Sequence, residues 1–144
     1  MVRQQGLFEQ QPTLNVLRDL KVAMAIDAEA SGLSREELCN RINLLGERYG
    51  MRLVKGSGVS LTMATLEKWL NPEDRERVIP SKGLTTFCSV TNGIGTMQTL
   101  VAPLGWLVLD AKEALVYRRA KIKEEIEEKK AELRSLDALY RGRI

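Results

Sequence analysis

From Leu14 to Ala30 the segment LNVLRDLKVAMAIDAEA sets Leu14, Leu17, Leu20 or Lys21, Met24 and Ala28 three or four positions apart, the spacing that gathers side chains on one helix face. Thr13 is the expected cap, and Gly32 the stop, because glycine accepts the left-handed backbone that closes a helix. A second helix is predicted over residues 35–49. Ser34 and Glu37 have capping-box spacing, Gly50 ends the helix, and Leu38, Ile42, Leu45 and Tyr49 form its inner face with Cys39 beside them. A third helix opens at Thr62 as N-cap. It turns Leu66, Trp69 and Leu70 inward and Met63, Ala64, Thr65 and Lys68 outward, and stops at Asn71-Pro72.

Beyond a connector, NPEDRERVIP, the segment PSKGLTTFCSVTNG begins a short helix with Leu84, Phe87 and Val90 or Cys88 inward, ended by Asn92-Gly93. Another short helix, about Thr96 to Leu104, leads through LGWLVLD. There the WLVL run reads equally as a lead-in to the last helix or as a brief buried extended piece. Trp69 and Trp106 are both expected in the core. From Ala111 to about Tyr140 there is no Gly or Pro, which predicts one helix about 45 Å long at 1.5 Å per residue.

Leu115, Ile122, Ile126, Leu133, Leu136 and Tyr140 lie on a heptad grid along this last helix, interrupted by Arg119 and Lys129. Lys121 with Glu125, and Glu125 with Lys129, are expected to add about 0.3 kcal/mol each. The cluster Arg118, Arg119, Lys121 and Lys123 reads as solvated helix face. A helix of this length exceeds what one small globule covers. The preferred reading is a coiled-coil oligomerisation helix, with a dimer favoured, and the plainer one is a charged arm lying on its own domain. The expected fold class is therefore all-α. Its expected divisions are a flexible N-terminus (1–13), a helical domain (14–92) and a helical extension (93–144).

Composition narrows the function. With 44% hydrophobic residues the 144-residue chain has enough for a core, and net charge is only +3. Residues 1–92 contribute +1 and residues 93–144 contribute +2, so any polyanion must meet a local cluster. From Arg48 to Leu66 there is no acidic residue, while Arg48, Arg52 and Lys55 are basic and KGSG is flexible. That loop reads as a phosphate grip, as an ordinary solvated loop, or as a small hairpin of MRLV and VSLT. Neither a membrane span nor a signal-peptide pattern is found, and a cytoplasmic location is the default expectation.

The pair SGLSREELCNRIN and LTMATLEKWLNP resembles the lambda-repressor-like helix-turn-helix proteins, especially small regulators of phages and prophages, over roughly Leu14 to Thr91. The first segment is similar to the end of the first helix and the scaffold helix of that family, the second to its recognition helix. The resemblance implies that 14–92 is a DNA-binding domain in which Met63, Ala64, Thr65 and Lys68 meet bases and Thr62 caps the helix against the backbone. Arg48, Arg52, Lys55 and Ser60 would hold phosphates. The chain departs from the family in its turn. About four residues usually join these helices, whereas here Gly50 to Leu61 form a longer connection.

Histidine is absent, which removes the commonest general base, the usual nucleophile pairs and the usual zinc ligand. Asp110 with Glu113, and the run Glu124, Glu125, Glu127 and Glu128, read as solubilising charge. Cys39 and Cys88 read as buried thiols. No enzyme activity, cofactor or metal is expected. The expected function is a phage-type transcriptional regulator, repressor or activator, that binds double-stranded DNA as a homo-oligomer. The alternatives are a packaging protein like a phage small terminase subunit, or a protein-binding helical adaptor.

Overall fold

A computed structural model describes residues 13–54 and 60–143; residues 1–12, including nearly all of the expected flexible N-terminus, lie outside them. Six α-helices and no strand occur among the described residues: α1 (Leu17–Ala30), α2 (Arg35–Arg48), α3 (Met63–Leu70), α4 (Ser81–Thr91), α5 (Ile94–Val101) and α6 (Ala111–Arg141), with a 3-10 turn at Ala102–Leu104. The chain forms two compact units that divide between Val108 and Leu109.

In the first unit α1 packs on α5, α3 and α4, and α2 packs on α3 and α4. Leu20, Met24 and Ala28 of α1, Leu38, Cys39 and Ile42 of α2, Leu66, Trp69 and Leu70 of α3, and Phe87 of α4 meet in one core. Burying each large side chain in such a core contributes about 1.5–3 kcal/mol. α1 starts at Leu17 rather than Leu14. Thr13 instead accepts the Asn15 N–H at 3.1 Å, and Leu14 stays exposed. Both Leu20 and Lys21 are buried, so the two readings of that turn hold together.

The inner face of α2 differs from expectation at its C-terminal end. Tyr49 is 65% exposed, and Leu45 is only half-buried. Gly46 is buried in their place, because Leu53 from the following loop lies across it: a Cβ on Gly46 would stand 2.8 Å from Leu53 Cδ1. The loop after α2 thus contributes Leu53 and, at its far end, Leu61 to the core. MRLV forms no strand, and VSLT falls partly outside the described residues.

α4 ends as expected at Asn92, whose backbone is left-handed (φ 56°). α5 begins two residues earlier than predicted, because Asp27 of α1 caps it from outside. The Asp27 carboxylate accepts the Thr96 N–H at 2.8 Å and the Thr96 hydroxyl at 2.6 Å. An anion here meets the positive end of the helix dipole. This contact adds to the packing of α5 on α1 within the first unit. WLVL is neither helix nor strand, and Trp106 is 64% exposed instead of in the core. The Gln98 side chain holds the segment, donating to Trp106 O at 3.1 Å and accepting the Val108 N–H at 2.8 Å.

The second unit is α6. Asp110 and Glu113 are not merely solvated charge: they close a capping box, with Asp110 accepting the Glu113 N–H at 2.7 Å and Glu113 accepting the Asp110 N–H at 3.2 Å. The ion pairs along the helix are Lys130 with Glu127 and Lys129 with Glu132, each three residues apart, in place of the expected four-residue pairs. Leu115, Ile122, Ile126, Leu133, Leu136 and Tyr140 are all exposed.

Candidate nucleic-acid interface

α3 has only eight residues, too short to hold its shape alone. Three contacts fix it. At its start the Asn43 carboxamide of α2 pairs with the backbone of Leu61, accepting the N–H at 2.7 Å and donating to the carbonyl at 2.9 Å. Cys39 donates to the same carbonyl at 3.2 Å. On its inner face, Trp69 is seated against Gly83 of α4, where a Cβ would lie 3.1 Å from the indole. At its end the Lys21 ammonium donates to the carbonyls of Lys68, Asp74 and Arg77 at 2.8, 2.5 and 2.6 Å.

Lys21 is among the largest fully buried side chains, only 1% exposed. Burial lowers its pKa below the ordinary lysine value, opposed by the negative charge of Asp74. Asp74 is held below the usual carboxylate range, chiefly by the Arg77 N–H, with the Glu76 N–H and the Lys21 and Lys68 charges adding to it. The amine therefore joins α1, the end of α3 and the connector that follows.

With its inner side occupied by Leu66, Trp69 and Leu70, α3 turns Thr62, Met63, Ala64, Glu67 and Lys68 to solvent and leaves Thr65 half-buried. Thr62 is extended and caps the helix, its hydroxyl accepting the Thr65 N–H at 3.2 Å and donating to the Thr65 hydroxyl at 3.1 Å. The first turn is thus a small, hydroxyl-bearing surface. Glu67 would repel a polyanion, but Arg35 at the start of α2 pairs with it at 3.1 Å.

Among the described residues the basic candidates line separate clefts. Arg52 and Ser60 line one cleft with Asn43, Glu47 and Met51. Arg48 lines a different groove, between α2 and α4, with Arg41, Leu44, Leu45, Ser89 and Val90, and its guanidinium lies 5.9 Å from the Tyr49 ring centre. Lys55 lies outside the described residues. Thr65 lines a third cleft with Leu53, Trp69, Glu76 and Arg77, which places the connector residue Arg77 near the half-buried edge of α3.

Sequence reasoning passed over Asn43, Lys21, Arg35 and Arg77. No local pattern marks the contacts of Asn43 or Lys21, whose partners lie 18 and 47 to 56 positions away. The buried position of Lys21 in the α1 repeat was the one available signal.

Among the described residues no group of three or more His, Cys, Asp or Glu side chains converges as a metal site, and no helix is long and apolar enough to cross a membrane. Comparison with models of known protein families, with curated proteins and with solved structures gave no match.

Proposed function

We propose that the chain is a non-catalytic, sequence-specific DNA-binding regulator of phage or prophage type, and that it acts as a homo-oligomer. The observation that carries this reading is the presentation of α3. A helix fixed at both ends turns Thr62, Met63, Ala64 and Lys68 to solvent, with Thr65 half-buried beside them. Threonine and alanine methyls suit thymine methyls in a major groove, Lys68 suits a guanine edge, and the capped N-terminus suits a phosphate. Arg52 and Ser60, which share a cleft beside α2, would meet the phosphate backbone, and Arg77, which lines a cleft with Thr65, would add a further basic contact.

The length and exposed apolar row of α6 support the homo-oligomer, and they equally support a packaging assembly in which many copies form a ring. Molecular mass in solution separates the two: a dimer favours the regulator, a many-membered ring the packaging protein. The test of the DNA reading is selection from a random double-stranded library at near-physiological salt. Enrichment of a defined motif is the expected result. Binding without enrichment, vanishing as salt rises, overturns sequence-specific readout.

A further inference from the structure

α6 carries its charge in blocks. Arg118, Arg119, Lys121 and Lys123 come first, then Glu124, Glu125, Glu127 and Glu128, then Lys129 and Lys130, with Glu132, Arg134 and Asp137 following. On the same helix the apolar row from Leu115 to Tyr140 is between 46% and 69% exposed and is broken only at Arg119 and Lys129. Its positions alternate by four and three residues, so the row is symmetric about the point between Glu127 and Glu128.

We propose that α6 pairs with α6 of a second copy, antiparallel and centred on that point; the proposal rests on the homo-oligomer reading above. Leu115 then meets the partner's Tyr140, and Ile122 meets the partner's Leu133. Arg119 lies against the partner's Leu136 and beside the partner's Asp137. Lys129 lies against the partner's Ile126 and beside the partner's Glu125. Each cation that breaks the row lays its stem on an aliphatic side chain and brings its charge to a carboxylate.

Like charges meet at the flanks, where Lys123 faces the partner's Lys130 and Glu125 faces the partner's Glu132. In the first clash Lys130 is already paired with its own Glu127 at 3.3 Å; in the second the two carboxylates share Lys129, which lies 2.8 Å from Glu132 of its own helix. The parallel arrangement gains one opposite-charge flanking pair, Glu125 with the partner's Lys130, but stacks cations inside the seam. It sets Arg119 on the partner's Arg119 and Lys129 on the partner's Lys129, and lays the whole basic block 118–123 along its own copy.

Disulfide trapping of the full chain tests both orientation and centre, with the unmodified chain, which keeps Cys39 and Cys88, as background. Arg119→Cys and Leu136→Cys chains are mixed and oxidised with copper phenanthroline. The expected product is a cross-linked dimer containing one of each, while either variant alone stays at background. Self-cross-linking of Leu136→Cys, or a dimer by sedimentation with no cross-link in the mixture, overturns the antiparallel pairing and leaves the homo-oligomer reading standing. A monomer by sedimentation overturns both. Asp137→Arg should weaken the dimer about ten-fold through its two symmetry-related sites, and Arg119→Glu in the same chain should restore it. Failure of the second change to restore pairing also overturns the proposal.

Discussion

Asn43 holds Leu61 as a neighbouring strand would, with one bond to its N–H at 2.7 Å and one from its own amide to the carbonyl at 2.9 Å. Leu61 immediately precedes the cap of α3, so the pair decides where α3 begins. Asn43→Ala leaves the Leu61 N–H without its partner and the Leu61 carbonyl with only the Cys39 thiol, and should destabilise the protein by about 1–3 kcal/mol. Denaturant unfolding followed by the fluorescence of buried Trp69 measures this. A change below about 0.5 kcal/mol would show that the pair does not hold the loop.

The outward side of α3 is predicted to carry sequence readout. Thr65→Asp places an anion in the first turn, where the helix dipole tolerates it, so the fold should persist while specific DNA affinity falls at least ten-fold. Arg52→Ala together with Lys55→Ala should weaken binding to every sequence and reduce the slope of log affinity against log salt by roughly two, at about 0.9 per phosphate contact. Binding isotherms at several salt concentrations distinguish the two effects. Unchanged affinity in the double variant would remove the loop from the interface.

Asp74 gives the protein a defined acid response. Its carboxylate accepts the Glu76 and Arg77 N–H groups, each at 3.0 Å, and its pKa is lowered in the folded chain, foremost by the Arg77 N–H. A carboxyl group with a depressed folded pKa supports the fold fully above its unfolded value, 3.8, and loses that support as pH falls through the folded value. Asp74→Asn should therefore flatten the loss of stability as pH falls below 3.8. Melting temperatures of the two chains across that range, converging at the acid end, are the expected outcome.

Cys88 is pushed up to about 11, first by burial and then by the negative charge of Asp27. At pH 8 only about one thiol in a thousand is then ionised, and the thiolate is the reactive form. Alkylation by iodoacetamide in the native state should be much slower than after unfolding. A rate equal to that of a free thiol would mean that the surroundings of α4 and Asp27 open readily.

Helices and their ends were largely legible because their signals are local. Thr62, Asn92, Gly32 and Gly50 act where their chemistry suggests, the last three with left-handed backbones. Ser34 supplies its half of the expected box, accepting the Glu37 N–H at 3.1 Å, but the complete box forms at Asp110 and Glu113, where the acid cluster was read as mere surface charge. The inner face of α2 was misplaced because Gly46 has no side chain to count in an apolar repeat, yet its bareness admits Leu53. Of the candidate interface, the α3 side chains could be chosen from sequence. Their supports and their division among separate clefts could not, since these depend on contacts between distant segments.

Lys21 makes one further point about α3. Three carbonyls from the helix end and the connector converge on a single amine, so α3 cannot tilt against α1 without leaving a buried charge unmet. Whatever α3 presents, it presents from a fixed strut. A change of preferred target must then come through exchange of side chains on that strut and not through re-aiming it, and descendants of this chain with new targets should differ at Met63, Ala64, Thr65 or Lys68 while keeping Lys21.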